Sequence, residues 1–226
     1  MGAPDQDFHP DKAKDDDMLS HAALSFVHGG LAPSFPYLTP YPSSINTLGS
    51  SLLYKLQSRK PQPPPHPPNP YPGLPATVTV AEQYLYGSDG PLWYRGWAMD
   101  DDEDEMCKKA EDVLKRTGVR RLIMGHTPTF TNIVSRCEGK VIIIDTGTFL
   151  FPFYYCLLII LYFIGISHAY GGVLSALSIT YTLDPVDGHS NVWKETEEVV
   201  AVYEHSRTVI ATDSRELKGD YGVHDL

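Results

Sequence analysis

Three short segments carry side chains that could act together on an anion. His28 stands in Phe26-Val27-His28-Gly29-Gly30-Leu31, Arg95 in Gly90-Pro91-Leu92-Trp93-Tyr94-Arg95-Gly96, and His126 in Met124-Gly125-His126-Thr127-Pro128, with Ile144-Asp145-Thr146-Gly147 following. Neutral imidazoles are good ligands for Mn²⁺, Fe and Zn²⁺. Flanking glycines would let the backbone turn sharply, so that a ring nitrogen could reach an ion. Arginine presents a planar fork of donors that matches the oxygens of a phosphate group. Taken singly, each has a plainer explanation: a satisfied loop histidine, a turn residue, a surface ion-pair partner. Their weight comes from occurring together and in this order.

The elements that would position them can be read from the hydrophobic pattern. Residues 22–27 form a short apolar run that feeds His28 and reads as a buried strand. Residues 45–56 place Ile45, Leu48, Leu52, Leu53 and Leu56 at helical spacing. Residues 102–117 predict the best-marked helix. Met106, Ala110, Val113 and Leu114 share a face, acids fill the first turn, Lys115 and Arg116 the last, and Gly118 follows as C-cap. Residues 120–124 and 140–144 read as strands leading to His126 and Asp145. Residues 177–183 alternate as a half-buried strand, and 198–203 read as another. Helix, turn, strand and loop ligand is the α/β way of placing site residues.

In their order, with Ala169-Tyr170-Gly171-Gly172 after the last, these segments resemble the calcineurin-like metallophosphoesterase superfamily, most closely its Shewanella-like protein phosphatase branch. The resemblance covers roughly residues 21–183. It implies an α/β fold, the C-terminal portion of a two-sheet sandwich, and hydrolysis of phosphomonoesters or phosphoproteins. The positions of His28 and His126 both ligate the second of two divalent ions (Mn, Fe or Zn) in that family, and Arg95 stands where the substrate phosphate is held. The mechanism it implies uses a hydroxide shared by two ions. That chemistry needs carboxylates from Gly-Asp-x-His-Gly, Gly-Asp-x-x-Asp-Arg-Gly and Gly-Asn-His-Glu, which precede the His-Gly-Gly segment in the family. Here the Gly-Asp pair is Gly219-Asp220, near the C-terminus, and no Asn precedes a His. No catalytic acid or base is therefore assigned, the chain supplies ligands for one ion, and it is expected to be inactive by itself.

Two segments interrupt the pattern. Residues 61–75 hold nine prolines, which exclude helix and central strand and predict an extended connector. Presentation to an SH3 or WW domain is the alternative, and it would make the chain a non-catalytic interaction protein. Residues 148–165 form the most apolar stretch. Removing them joins Gly147 to Ile166-Ser167-His168-Ala169, the order the resemblance leads one to expect. A retained, in-frame intron is the preferred reading, ahead of a buried insert and of a single-pass membrane helix over 149–166. That helix is just long enough to span, but Pro152 shortens it and no Lys or Arg flanks it.

Residues 1–18 predict a disordered acidic tail, 19–210 a partial phosphoesterase domain, and 211–226 a polar tail. A formal charge of -10 argues against a nucleic-acid partner, because phosphate backbones require a basic face. The six acids at 100–105 read as a solvated helix start. Three cysteines, far apart and odd in number, predict reduced buried thiols rather than a zinc knuckle or a disulfide framework. The N-terminus is too polar for a signal peptide, and a soluble intracellular protein acting on a phosphorylated substrate is expected.

Overall fold

The computed structural model describes residues 7–10, 23–58, 74–147, 172–186 and 192–218. The connector at 61–73 and the apolar insert at 148–165 lie outside the described residues, as does the candidate membrane helix over 149–166. Among the described residues, no helix is long and apolar enough to cross a membrane. The chain is mixed α/β with two sheets, as expected. In order it runs β1 (Leu24–Val27), α1 (Ser43–Gln57), α2 (Val80–Tyr86), α3 (Gly96–Met99), α4 (Glu103–Thr117), β2 (Arg121–Met124), β3 (Val134–Arg136), β4 (Val141–Ile143), β5 (Ser175–Pro185), β6 (Val192–Tyr203) and β7 (Arg207–Lys218).

The first sheet has the order β1-β2-β4-β3, with β1, β2 and β4 parallel and β3 antiparallel at the edge. Its central strands are buried on both faces, which suits their unbroken apolar runs. Alternation divides those runs between two cores. Leu122, Met124, Val141 and Ile143 pack with Leu52 of α1 and with Ala110 and Val113 of α4. Ile123 and Ile142 point the other way, onto Val199, Ala201 and Ala211 of the second sheet. That second sheet is an antiparallel meander, β5-β6-β7. Helices, parallel sheet and meander thus stack as layers.

Helix α4 forms where expected. Asp102 caps it through the Glu105 N–H at 3.0 Å, and Gly118 closes it at φ +68, a conformation that glycine adopts cheaply. Helix α2, not anticipated from the sequence, starts with a capping box between Thr79 and Glu82. The Glu82 carboxylate also takes Lys55 at 2.6 Å and Ser51 at 2.5 Å from α1, so one side chain ties the two helices together. The hydrogen bond from Lys55, then those from Ser51 and the Thr79 backbone, lower its pKa from 4.5 to about 2. A depressed carboxylate stabilises the fold fully above its unfolded value, and that stability is lost as pH falls from 4.5 through about 2. Denaturant midpoints measured against pH should therefore fall across this window, and more gently in Glu82→Gln.

Three expectations are corrected. Part of the expected N-terminal tail is ordered: Phe8 pairs with Tyr41 by backbone hydrogen bonds, its ring covers Gly118, and Asp7 accepts from the N–H and hydroxyl of Ser43 at the start of α1. Residues 211–218, read as tail, belong to β7, and β6 begins at Val192 rather than Glu198. The reason is shared. Glu195 and Glu197 look solvent-facing, yet they are buried against Arg120 and Arg121, and Asp213, half-exposed, pairs with Arg120 beside them. Finally, Cys107 and Cys137 form a disulfide joining α4 to the turn after β3, and they are not reduced thiols.

Candidate metal and phosphate site

His28, His126 and Asp145 all follow parallel strands at their carboxyl ends, the edge where open α/β sheets place ligands. The pairing of Val27 with Met124 sets β1 and β2 in step, and the ladder runs one bond further, from the Gly125 N–H to the His28 carbonyl at 3.0 Å. The next residue, His126, sits at φ +64 in a three-residue turn closed by the Thr127 N–H onto the Gly125 carbonyl at 2.8 Å. A non-glycine held there costs on the order of 1 kcal/mol or more, and such strain clusters at functional sites. The turn brings the two imidazoles to a centroid separation of 4.8 Å, with their planes inclined at 56°.

The glycines beside His28 act differently from the expectation. Neither Gly29 nor Gly30 has a positive φ. Instead, a Cβ on Gly29 would lie 2.7 Å from the Leu92 carbonyl carbon, and one on Gly30 would lie 2.7 Å from the Trp97 ring. They are small because the 91–97 segment lies directly on them. Its Pro91 carbonyl accepts from both glycine N–H groups, at 2.8 and 3.2 Å. Trp97 is buried and donates its indole N–H to the Leu31 carbonyl at 3.1 Å.

Laid down in this way, the segment delivers Trp93 and Arg95 to the histidines. Trp93 meets His126 edge to face at 5.1 Å. Arg95 precedes α3 and is exposed, and among the described residues its guanidinium makes no hydrogen bond or ion pair. It is close enough for its charge to act on His126. Burial first, then Arg95 and His28, hold the His126 pKa below its ordinary value against the pull of Asp145. His126 is therefore held in the neutral form that a metal ligand requires.

The Nε2 of His126 is buried and has no hydrogen-bond partner. A buried ring nitrogen left this way calls for an explanation, and a bound ion is one. Two imidazoles fit one borderline ion such as Zn²⁺ or Mn²⁺. Among the described residues no three-ligand cluster forms around them. A cavity of about 540 Å³ opens beside His28, walled by apolar side chains such as Leu31, Ile45, Leu53 and Leu92.

All three residues singled out from the sequence thus come to one edge of the sheet. Asp145 and Trp93 were quoted within the motifs but given no role. The signal for Asp145 was its place after an apolar strand, parallel to those preceding His28 and His126. No sequence pattern indicated that Trp93 would reach His126.

No protein-family model matches the chain, and no solved structure matches it. An uncharacterized protein of Schizosaccharomyces pombe is 39% identical over 137 residues, covering 59% of this chain. The match takes in 33% of that protein, so the chain spans about one third of its relative's length.

Proposed function

We propose that this chain carries the second-metal half of a calcineurin-like phosphoesterase site, with His28 and His126 as metal ligands and Arg95 as the phosphate clamp. The single observation that carries the reading is the buried, unpartnered Nε2 of His126 beside the His28 ring. The layered α/β architecture supports it, as the C-terminal portion of a two-sheet sandwich. In this reading, a bound divalent ion would supply Lewis-acid polarisation of a phosphoryl oxygen. The chain's own groups have narrower tasks. Arg95 donates its free fork of N–H groups to phosphate oxygens and neutralises their charge. Trp93 shields one side of His126 and fixes its ring against rotation. The Leu92 backbone, seated on Gly29, fixes the distance between clamp and ligands.

The resemblance assigns the bridging carboxylate and the general acid to motifs that are not found in this sequence, so the chain is assigned ligand and phosphate binding and no turnover of its own. Calorimetric titration of Mn²⁺ or Zn²⁺ tests this directly. Stoichiometric binding should be lost in His28→Ala and His126→Ala, by about 10-fold or more each, since each removes one of two protein ligands. Arg95→Ala should leave metal binding intact and weaken inorganic phosphate binding to the loaded protein. Unaltered metal affinity in both histidine variants would sink the reading. Robust Mn²⁺-dependent hydrolysis of p-nitrophenyl phosphate by the chain would overturn its assignment as a half-site.

A further inference from the structure

Away from the histidines, ligand-type side chains converge where α4 meets the turn after β3. Glu103 and Cys107 are one helical turn apart on α4, and Cys137 opens the turn at 137–139. An oxygen of Glu103 and the two sulfurs all lie within 4.8 Å of one another. The Glu103 carboxylate is aimed by its surroundings. Its Oε1 accepts from the Cys137 N–H at 3.1 Å and its Oε2 from Arg136 Nε at 2.7 Å. Arg136 is itself anchored, donating to the Trp97 carbonyl at 2.8 Å and the Asp100 carbonyl at 2.7 Å. On the inner side Met106, 1% exposed, brings its thioether to 3.7 Å from Cys137 Sγ.

With the sulfurs joined as a disulfide, neither can serve as a thiolate ligand. We propose that reduction of this bond opens a zinc site formed by Cys107, Cys137 and Glu103, so that the same residues hold either a disulfide or a Zn²⁺ ion. The reductant is a thiol. One reductant thiolate attacks a protein sulfur, breaks the S–S bond and leaves the other protein sulfur as a thiolate. A second reductant thiolate attacks the reductant's sulfur in the mixed disulfide, forms the reductant's own disulfide and expels the remaining protein sulfur as a thiolate. Two electrons have then passed to the protein sulfurs, which take up two protons. Zinc binding releases those two protons to solvent and leaves the metal's oxidation state unchanged.

The chemistry of the donors selects the ion. Two thiolates and a carboxylate suit Zn²⁺ and are a poor set for Ca²⁺ or Mg²⁺, which prefer all-oxygen shells. Zn–S bonds of about 2.3 Å can be reached by side-chain rotation from donors already this close. Charge also balances: two thiolates and a carboxylate carry -3, and zinc with Arg136 carries +3. Arg136 and the Cys137 N–H orient the carboxylate, the supporting role outer-shell groups play at metal sites. Water completes the fourth position.

The test uses the full chain carrying Cys156→Ser, His28→Ala and His126→Ala. Neither the third thiol nor the imidazole pair can then contribute, and the outcome is independent of the phosphoesterase reading. After phosphine reduction under anaerobic conditions, the protein is titrated with Co²⁺ as a spectroscopic stand-in and with Zn²⁺ against a chromophoric chelator. The expected result is one equivalent of metal, a thiolate-to-cobalt charge-transfer band, and at least about 100-fold weaker binding to the oxidised protein. Glu103→Gln, which keeps both cysteines and lies at the surface, should weaken binding about 10-fold. Cys107→Ser should remove the band. The proposal is overturned if the reduced protein shows no charge-transfer band, if oxidised and reduced forms bind equally, or if Glu103→Gln binds as tightly as its parent.

Discussion

Arg120→Ala should lower the stability of the fold by about 3–5 kcal/mol, the usual consequence of removing one partner from a buried ion-pair network. Arg120 is 5% exposed and stands just before β2, facing the meander. It donates to Glu195 and Asp213 and lies in an ion pair with Glu197 at 3.2 Å. Glu195 and Glu197 are 1% and 2% exposed at the side chain, so the deletion would strand negative charge where water cannot reach it. The network is balanced as built: Arg120, Arg121 and Arg215 oppose Glu195, Glu197 and Asp213. Its field is evident in its neighbours. Burial works to raise the Asp213 carboxyl, but the hydrogen bond and charge of Arg120 outweigh it and leave the group below its ordinary value. Burial, then the hydrogen bond to Glu195, push the Tyr181 hydroxyl up to about 12. Urea denaturation measures the loss. Adding Glu195→Gln to Arg120→Ala should recover part of it, because the stranded charge is then removed. A loss below about 1 kcal/mol in the single variant would mean that the charges are hydrated after all.

Trp97→Ala should cost a similar amount, about 3–5 kcal/mol for a large aromatic lost from a packed core. Its second effect is local. Trp97 fills the space against Gly30, stacks edge to face with Tyr94 at 5.6 Å and donates to the Leu31 carbonyl. Without it, the segment that presents Trp93 and Arg95 loses its seat on the His28 loop. Amide exchange of Gly29 and Gly30, whose N–H groups bond the Pro91 carbonyl, should then accelerate beyond what the global loss of stability explains. Trp97→Phe should lose less, retaining most of the packing while leaving one buried carbonyl unpaired. Unchanged exchange at both glycines in Trp97→Ala would show that the segment is held by other contacts.

The described residues nearest the apolar insert, Thr146 and Gly147 before it and Gly172 and Val173 after it, lie between the first sheet and the second. The Val173 N–H donates to the Thr146 carbonyl at 3.3 Å, and the Thr146 hydroxyl donates to the Val173 carbonyl at 2.7 Å. A Cβ on Gly172 would lie 1.9 Å from that same Thr146 carbonyl oxygen. The chain on either side of residues 148–171 therefore meets at one point. The residues that follow β4 and those that precede β5 are thus in direct contact.

Elements with one wet and one dry face could be read from the sequence. Helix α4 carried its apolar stripe, its acidic start, its basic end and its glycine stop in plain order, and the structure places all four as expected. Strands β1, β2 and β4 were visible as apolar runs ending in chemically distinctive residues. Helix α2 was missed because its seven residues offer little periodicity, and its anchor is Glu82, a charged residue turned inward. The extents of β6 and β7 were missed for the same reason. Polar residues were assumed to face water, whereas Glu195 and Glu197 face arginines in the interior.

The sequence offered residues whose chemistry suits a metal or a phosphate, singled out by the resemblance of their motifs, and placed them after strands or in tight turns. Those properties are local: a side chain's chemistry and a backbone's preferred geometry are carried by a few neighbouring residues. Whether the residues would meet is not local. The 4.8 Å between the His28 and His126 rings depends on β1 and β2 lying parallel and in register across nearly a hundred residues of chain. The seat of Leu92 on Gly29, the arginines that neutralise the buried Glu195 and Glu197, and the bond between Cys107 and Cys137 depend likewise on packing between segments distant in sequence. No window of sequence contains both partners of such a contact, so the tertiary structure decided them.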